Sequence, residues 1–384
     1  MIVLRPNKNI STAVFLLFLT SISLLQAVAP KRVFSDTENR MLQQKAVFSW
    51  DKILSGKYMK EIENYLSDQF VFRDSWVRIK NVCEILLQKK DNNGVYFGKE
   101  GYLLQKPGRL NLTIARQNIA AINEFAADTA PLPVYLLLVP NSVQLLEDKL
   151  PPFASATELD KVRQLVSAEH RRKVHFLDLY PLLVAHRKED IYYKTDHHWT
   201  TRAAFYAYQE LARVMKFKAL SIEDFSLIEV SDSFYGALSA KSGHFFSKPD
   251  TIFLFQPLHE IKYQVEYVDK GRISSSLYEF EHLKKRDQYS VFLDGNHALI
   301  KITTQIANGK KLLVVKDSFA HCLIPFLINH FEQIHILDLR YYHGNVQNYC
   351  IDNEIDEILC VYNTLTFAEE RFPAKLAANL QKIN

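Results

Sequence analysis

Val134-Tyr135-Leu136-Leu137-Leu138-Val139 is an unbroken apolar run closed by Pro140. A strand with one face in water alternates apolar and polar residues; a run this continuous and this short reads as a strand covered on both faces, as in a parallel sheet. Lys311-Leu312-Leu313-Val314-Val315 has the same character. So do Val174–Leu179, Ile334–Leu339 and Glu357–Tyr362. Between them lie stretches with helical spacing: Leu110–Ala127, about Ala156–Arg172, and Thr201–Lys216, whose Ala204, Tyr208, Leu211 and Met215 mark one buried face. Strands alternating with helices predict an α/β layered fold with a mainly parallel sheet.

In open α/β sheets the reactive groups gather at the C-terminal ends of strands. Ser318 stands there, after Val314-Val315-Lys316-Asp317. A helix from about Phe319, irregular at its start because Pro325 falls inside its pattern, would aim backbone N–H groups at the same point and suit an oxyanion. Serine is equally a common helix cap. A nucleophilic serine needs a base, and the base an orienting partner. Thr195-Asp196-His197-His198-Trp199-Thr200 supplies both types of residue. In an extended segment, side chains two apart point the same way, so Asp196 and His198 would face Ser318 together and His197 would point away. Trp199 is expected to pack beneath the loop, with an aromatic platform for a sugar ring as the competing role. Metal binding is the rival reading of the stretch. Adjacent histidines reach one ion with difficulty, however, and no HExxH partner occurs, so no metal or cofactor is expected.

Outside this body, Ile10 to Pro30 carries no charge and follows Arg5 and Lys8. That is about the 20 residues needed to span a bilayer, and the preceding positive charge predicts a cytoplasmic N-terminus with the remainder exported. Ala27-Val28-Ala29 resembles a cleavage site, but the following Pro30 disfavours cutting, so residues 1–30 are read as a cytoplasmic tip and signal anchor. Residues 31–90 are amphipathic and helix-rich, with Tyr58, Ile62, Tyr65 and Leu66, and then Trp76, Ile79, Val82, Cys83 and Leu86, at helical spacing. Residues 91–384 form the α/β body, opening with a β-hairpin pattern at 93–103. From about 220 to 302 the pattern is irregular and reads as an insertion or lid. With 47 Lys and Arg against 43 Asp and Glu, the charge of +4 gives no case for nucleic acid. The four cysteines form no CxxC pair, and their spacing identifies no disulfide.

Asp196-His197-His198-Trp199 carries a resemblance: the sequence is identified as a member of the DHHW family of exported bacterial proteins. It is similar, more distantly, to the alginate O-acetyltransferase proteins of the SGNH hydrolase superfamily, in which a short Asp-x-His-Trp motif precedes the serine by a long interval. Further matching segments are Phe34–Arg40, Asp68–Asp74, Phe234-Tyr235-Gly236, Phe292–His297 and Asp338–Tyr342. The resemblance implies an SGNH hydrolase-like fold in which Ser318 matches the nucleophile, His198 the base and Asp196 the orienting acid. It also suggests Asn296, after Gly295, as an oxyanion donor, while Arg340 could reach the same pocket or be a structural ion pair. Lys316 departs from the usual Gly of Gly-Asp-Ser. The implied activity is acyl transfer or ester hydrolysis, with O-acetylation of a cell-surface or secreted polysaccharide outside the membrane. A multi-spanning membrane protein would deliver the acyl group, because one anchor offers acetyl-CoA no path across. The competing expectation is a non-catalytic module that binds glycan or an assembly partner.

Overall fold

The computed structural model describes residues 8–35, 40–108, 110–244 and 247–377. Arg5 and the 36–39 portion of the Phe34–Arg40 segment therefore lie outside the described residues. The chain divides into two units, Met1–Lys89 and Lys90–Asn384.

The first unit contains helices α1 (Lys8–Val28), α2 (Trp50–Leu54), α3 (Lys57–Asp68) and α4 (Arg73–Leu86). Asn9–Val28 is long and apolar enough to cross a membrane, and none of it is buried against protein. The turn after α3 is organised by Asp68. Its buried carboxylate accepts two hydrogen bonds from the Arg40 guanidinium (2.9 and 2.6 Å) and one from the Gln43 N–H (2.8 Å). The Arg40 bonds hold the Asp68 carboxyl below the usual range against the opposing effect of burial.

The second unit is built on an eight-stranded sheet. Its strands, in chain order, are β1 (Val134–Val139) and β2 (Val174–Asp178); β5 (Tyr263–Tyr267), β6 (Arg272–Ser274) and β7 (Leu299–Thr304); and β8 (Lys311–Lys316), β9 (Gln333–Leu337) and β10 (Glu357–Asn363). Strands β3 (Phe225–Phe234) and β4 (Asp250–Pro257) form a separate antiparallel hairpin. The spatial order of the sheet is β6-β5-β7-β9-β8-β10-β1-β2. From β9 to β2 all neighbours are parallel; β7, β5 and β6 add an antiparallel flank. The sheet is thus mixed, with four parallel pairings and three antiparallel ones.

Alternation along the parallel strands sorts side chains onto two buried layers. Leu312 and Val314 of β8 join Leu137, Val139, Ile334, Ile336, Leu359 and Val361 in one core. Leu313 and Val315 join Leu136, Leu138, Leu337, Ile358 and Cys360 in the other. Helices α5 (Leu112–Asp128) and α6 (Thr157–Glu169) cover the second layer, through Ile119, Ile122, Phe125, Val162 and Val166. Helix α7 (Thr201–Met215) covers the first through Ala204, Tyr208, Leu211 and Met215.

Three expectations change. The stretch 220–302 is not one insertion: β5, β6 and β7 belong to the main sheet, and only the β3–β4 hairpin stands apart from it. Tyr263-Gln264-Val265-Glu266-Tyr267 alternates because one face is open, so it lacks the continuous apolar signature of its parallel neighbours. No long helix follows Ser318. A single 3-10 turn (Ser318–Ala320) leads to a four-residue helix, Ile324–Leu327, with Pro325 in its first turn. The hairpin expected at 93–103 is a three-stranded antiparallel sheet, Asp91–Asn92, Val95–Phe97 and Leu103–Gln105. Asn93 and Gly94 turn it with φ of 48° and 73°, the left-handed pair that a tight hairpin demands.

Buried histidines give the fold an acid limit. His335 on β9 is buried between Tyr349 Oη (2.7 Å) and Gln333 Oε1 (3.1 Å). Burial, with the nearby Lys301 and Lys311 charges, pushes its imidazole down to about 4. Unfolded, it would titrate near 6.5. Its contribution is complete above that value and is lost as pH falls toward 4, because the unfolded chain takes up a proton that the folded chain resists. The loss is on the order of 3 kcal/mol for this group. The melting temperature should therefore drop between pH 6.5 and pH 4, less steeply in His335→Gln. A melting temperature flat across that window would contradict the assignment.

Candidate active site

Each half of the site is positioned by a strand end. Ser318 follows β8, and the turn that carries it is clamped by Asp317. One oxygen of that carboxylate accepts the Phe319 N–H (2.9 Å), while the other accepts the N–H and the side-chain amide of Asn363 at the end of β10 (2.8 and 2.7 Å). The first expected helical N–H is therefore already taken by Asp317.

The Asp196–Trp199 loop precedes α7, whose N-cap Thr200 accepts the Ala203 N–H. Asp250 at the start of β4 accepts the N–H groups of Lys194 (2.7 Å) and Thr195 (2.8 Å) and the Thr195 hydroxyl (2.6 Å). The hairpin read from the sequence as part of a lid thus underpins this loop. On the other side, Trp199 is fully buried and its indole N–H donates to the Phe319 carbonyl (2.8 Å). Trp199 consequently locks the loop to the serine turn and is not open to a sugar ring, which corrects the substrate-contact alternative.

Asp196 Oδ1 accepts the backbone N–H of His198 (2.9 Å) and its imidazole Nδ1–H (2.6 Å), and Oδ2 accepts the Ala237 N–H (2.7 Å). A carboxylate only accepts, so Nδ1 carries the proton and Nε2 presents a lone pair. Ser318 Oγ lies 2.7 Å from that Nε2. Burial would raise the Asp196 carboxyl; the charges of His197 and His198 and the hydrogen bonds from His198 outweigh it and hold Asp196 well below the usual range. Gly236 makes room for this carboxylate. A Cβ there would sit 2.2 Å from Asp196 Cβ and 2.4 Å from Oδ2.

His197 does not point away as expected. It is half-buried, its ring centroid 3.9 Å from that of His198 and its Nδ1 3.6 Å from Asp196 Oδ1. Asp196, His197 and His198 could in principle hold a cation together. Both Asp196 oxygens and both His198 nitrogens are, however, engaged in the bonds above, so a metal would have to break them.

Tyr289 has no counterpart in the sequence reading. Its ring stacks on His198 at 3.8 Å and 9°, fixing the imidazole plane, and its hydroxyl donates to the Ser318 carbonyl (3.4 Å). Only its aromatic character in a turn-rich stretch could have marked it.

Asn296 and Arg340 meet in one network built on the buried pair Lys316 and Asp338. Asp338, at the end of β9, accepts Arg340 Nε (2.9 Å) and Nη2 (2.5 Å), and also Lys316 Nζ (3.1 Å). Asn296 Oδ1 accepts Arg340 Nη2 (2.8 Å) and Lys316 Nζ (3.4 Å). Two cations thereby fix the carboxamide with its oxygen toward them and its Nδ2–H₂ on the far side. Asn296 itself is exposed. The preceding Leu293, Asp294 and Gly295 all have positive φ (59°, 56° and 81°), a conformation that costs non-glycine residues about 1–2 kcal/mol each. Lys316, in the place of the usual glycine, is the buried post of this network, and His321 Nε2 lies 2.7 Å from its Nζ.

A model of the DHHW protein family matches residues 110–337, more than half of the chain. The chain belongs to the DHHW family. The match contains Asp196, His198 and Ser318 and stops before Asp338 and Arg340. The DHHW chain is similar in fold to a DHHW family protein of Eubacterium siraeum: 23% identical, covering 74% of this chain and 95% of that one, with a TM-score of 0.64. It is also similar to Bacillus cereus PatB1, at 22% identity, 71% and 97% coverage and a TM-score of 0.62. The O-acetyltransferase domain of Pseudomonas putida AlgJ aligns at 14% identity over 74% of this chain and 98% of that one, with a TM-score of 0.46. No curated protein matches the chain.

Proposed function

We propose that the chain is a membrane-anchored, extracytoplasmic, SGNH-like serine acyltransferase or esterase, acting in O-acetylation of a cell-surface or secreted polysaccharide. The observation that carries this reading is His198, bonded through Nδ1 to Asp196 at 2.6 Å and through Nε2 to Ser318 at 2.7 Å. Ser318 Oγ attacks the carbonyl carbon of an acyl ester while its proton passes to His198 Nε2. The resulting imidazolium is held by Asp196. The oxyanion is received by the Ser318 N–H and by Asn296 Nδ2, the donor left free by the two cations on its oxygen. Collapse expels the donor's alkoxide, which takes the proton from His198. An acceptor hydroxyl then gives its proton to His198, attacks the acyl-serine and leaves as the new ester, with Ser318 regenerated. Water in the acceptor's place gives hydrolysis.

The polysaccharide acceptor is supported by the resemblance to the alginate O-acetyltransferase proteins. The anchor is supported by α1, and a multi-spanning donor protein would bring the acyl group to the outer side. The full chain, supplied with an activated acetyl ester and a metal chelator, is expected to release acetate, and to transfer it when a hydroxyl-rich glycan is added. No turnover of any activated ester would overturn the reading. Loss of turnover on chelation alone would favour a metal.

Asn296→Asp separates the oxyanion donor from its anchor. The carboxylate keeps both cationic partners, so folding is retained, but the N–H donor is gone and kcat should fall about 10²-fold. Wild-type kcat in this variant would remove Asn296 from the mechanism.

A further inference from the structure

Helix α4 leaves an apolar stripe exposed, on the side away from its one buried residue. Asn81 is buried, with Val77, Glu84 and Ile85 half-buried on the same side. Opposite them lie Trp76 (41% exposed), Ile79 (53%), Cys83 and Leu86 (76%). Their spacing of three, four and three residues keeps them on one stripe, the reverse of the pattern of a helix facing water.

The base of α4 is tied to the end of α1. Gln26, two residues before α1 ends, donates to the Gln69 carbonyl (2.9 Å) and accepts the Val71 N–H (2.7 Å). Arg32 grips Asp74, in the first turn of α4, with two hydrogen bonds (2.8 and 3.1 Å). Phe70 and Phe72, in the corner between α3 and α4, are also exposed. An uncovered apolar stripe thus begins at the level where α1 leaves its apolar course.

We propose that α4 lies in the interfacial layer of the membrane that α1 spans, with the Trp76–Leu86 stripe among the lipid chains. This rests on reading α1 as a retained anchor. A lipid surface is favoured over a second copy by this continuity with α1, by Trp76 in the first turn, and by charge. Residues 31–89 carry eleven Lys and Arg against eight Asp and Glu, a net positive charge suited to anionic headgroups.

Cys83 makes the test direct, because it is exposed while Cys322, Cys350 and Cys360 are buried. The full chain, nitroxide-labelled at Cys83, is reconstituted in phosphatidylcholine vesicles with or without phosphatidylglycerol. Collisions with oxygen and with a water-soluble nickel chelate are then measured by electron paramagnetic resonance. The label should be open to oxygen and shielded from nickel, more so with phosphatidylglycerol, and Ile79→Glu should restore nickel access. A nickel-accessible label in protein that resists alkaline carbonate extraction overturns the inference and leaves the anchor standing. Spin–spin coupling between labels overturns it in favour of a dimer face. Release by carbonate overturns the anchor reading and this inference with it.

Discussion

Ser318→Ala should lower kcat on an activated acetyl ester by roughly 10⁴- to 10⁶-fold, with KM little changed. The side chain removed is half-buried and, among the described residues, bonded only to His198 Nε2, so stability should stay within about 0.5 kcal/mol of the parent. The turn itself survives, since Asp317 rather than Ser318 ties it to Phe319 and Asn363. Steady-state kinetics on both proteins, with thermal melts as the folding control, check this. Retained turnover in a folded variant would show that the ester is cleaved elsewhere.

Gly236→Ala should also lower kcat strongly, although Gly236 performs no chemistry. Its φ of −76° is one that any residue adopts, so backbone strain is not the reason for glycine. The reason is space. A methyl group 2.2 Å from Asp196 Cβ requires that loop or the 234–237 segment to move by an ångström or more. Displacement of that size typically costs about 10²-fold in rate, and full loss of the carboxylate's hold on His198 about 10⁴-fold. The expected fall in kcat is between those limits, and a second effect distinguishes it from simple misfolding. With the Nδ1 bond to Asp196 stretched, the His198 Nδ1 proton should lose its far-downfield NMR resonance while the melt remains cooperative. An Ala variant with parental kcat would mean that Asp196 does not need its present position.

The parts of the fold that were legible in the sequence share a physical cause. Val134–Val139, Lys311–Val315 and Glu357–Tyr362 are covered on both faces, so burial writes itself into them as continuous apolar runs. The antiparallel flank is covered less completely, and its alternating residues sit among turns that mask them. The irregular start after Ser318 was marked by Pro325, but the absence of a long helix was not, because Phe319, Leu323, Phe326 and Leu327 are apolar for reasons of core packing. At the site, Asp196, His198 and Ser318 were accessible from residue chemistry and family resemblance. Extended alternation does not describe the whole loop: Asp196 also bonds the His198 backbone N–H, so the loop is bent, and His197 stacks beside His198 instead of facing away. Tyr289, Gly236 and Lys316 act through spatial neighbours distant in sequence, which no local pattern encodes.

The proposed chemistry requires that Ser318 carry the acyl group. PatB1 takes a sulfonyl adduct, and the corresponding measurement here is peptide mass spectrometry of the full chain, quenched during turnover of an activated acetyl ester or treated with a sulfonyl fluoride. One modification is expected, on the peptide containing Ser318, absent in Ser318→Ala and strongly reduced in His198→Ala. Acetate release at the parental rate with Ser318 unmodified, or with the adduct on another residue, would contradict it.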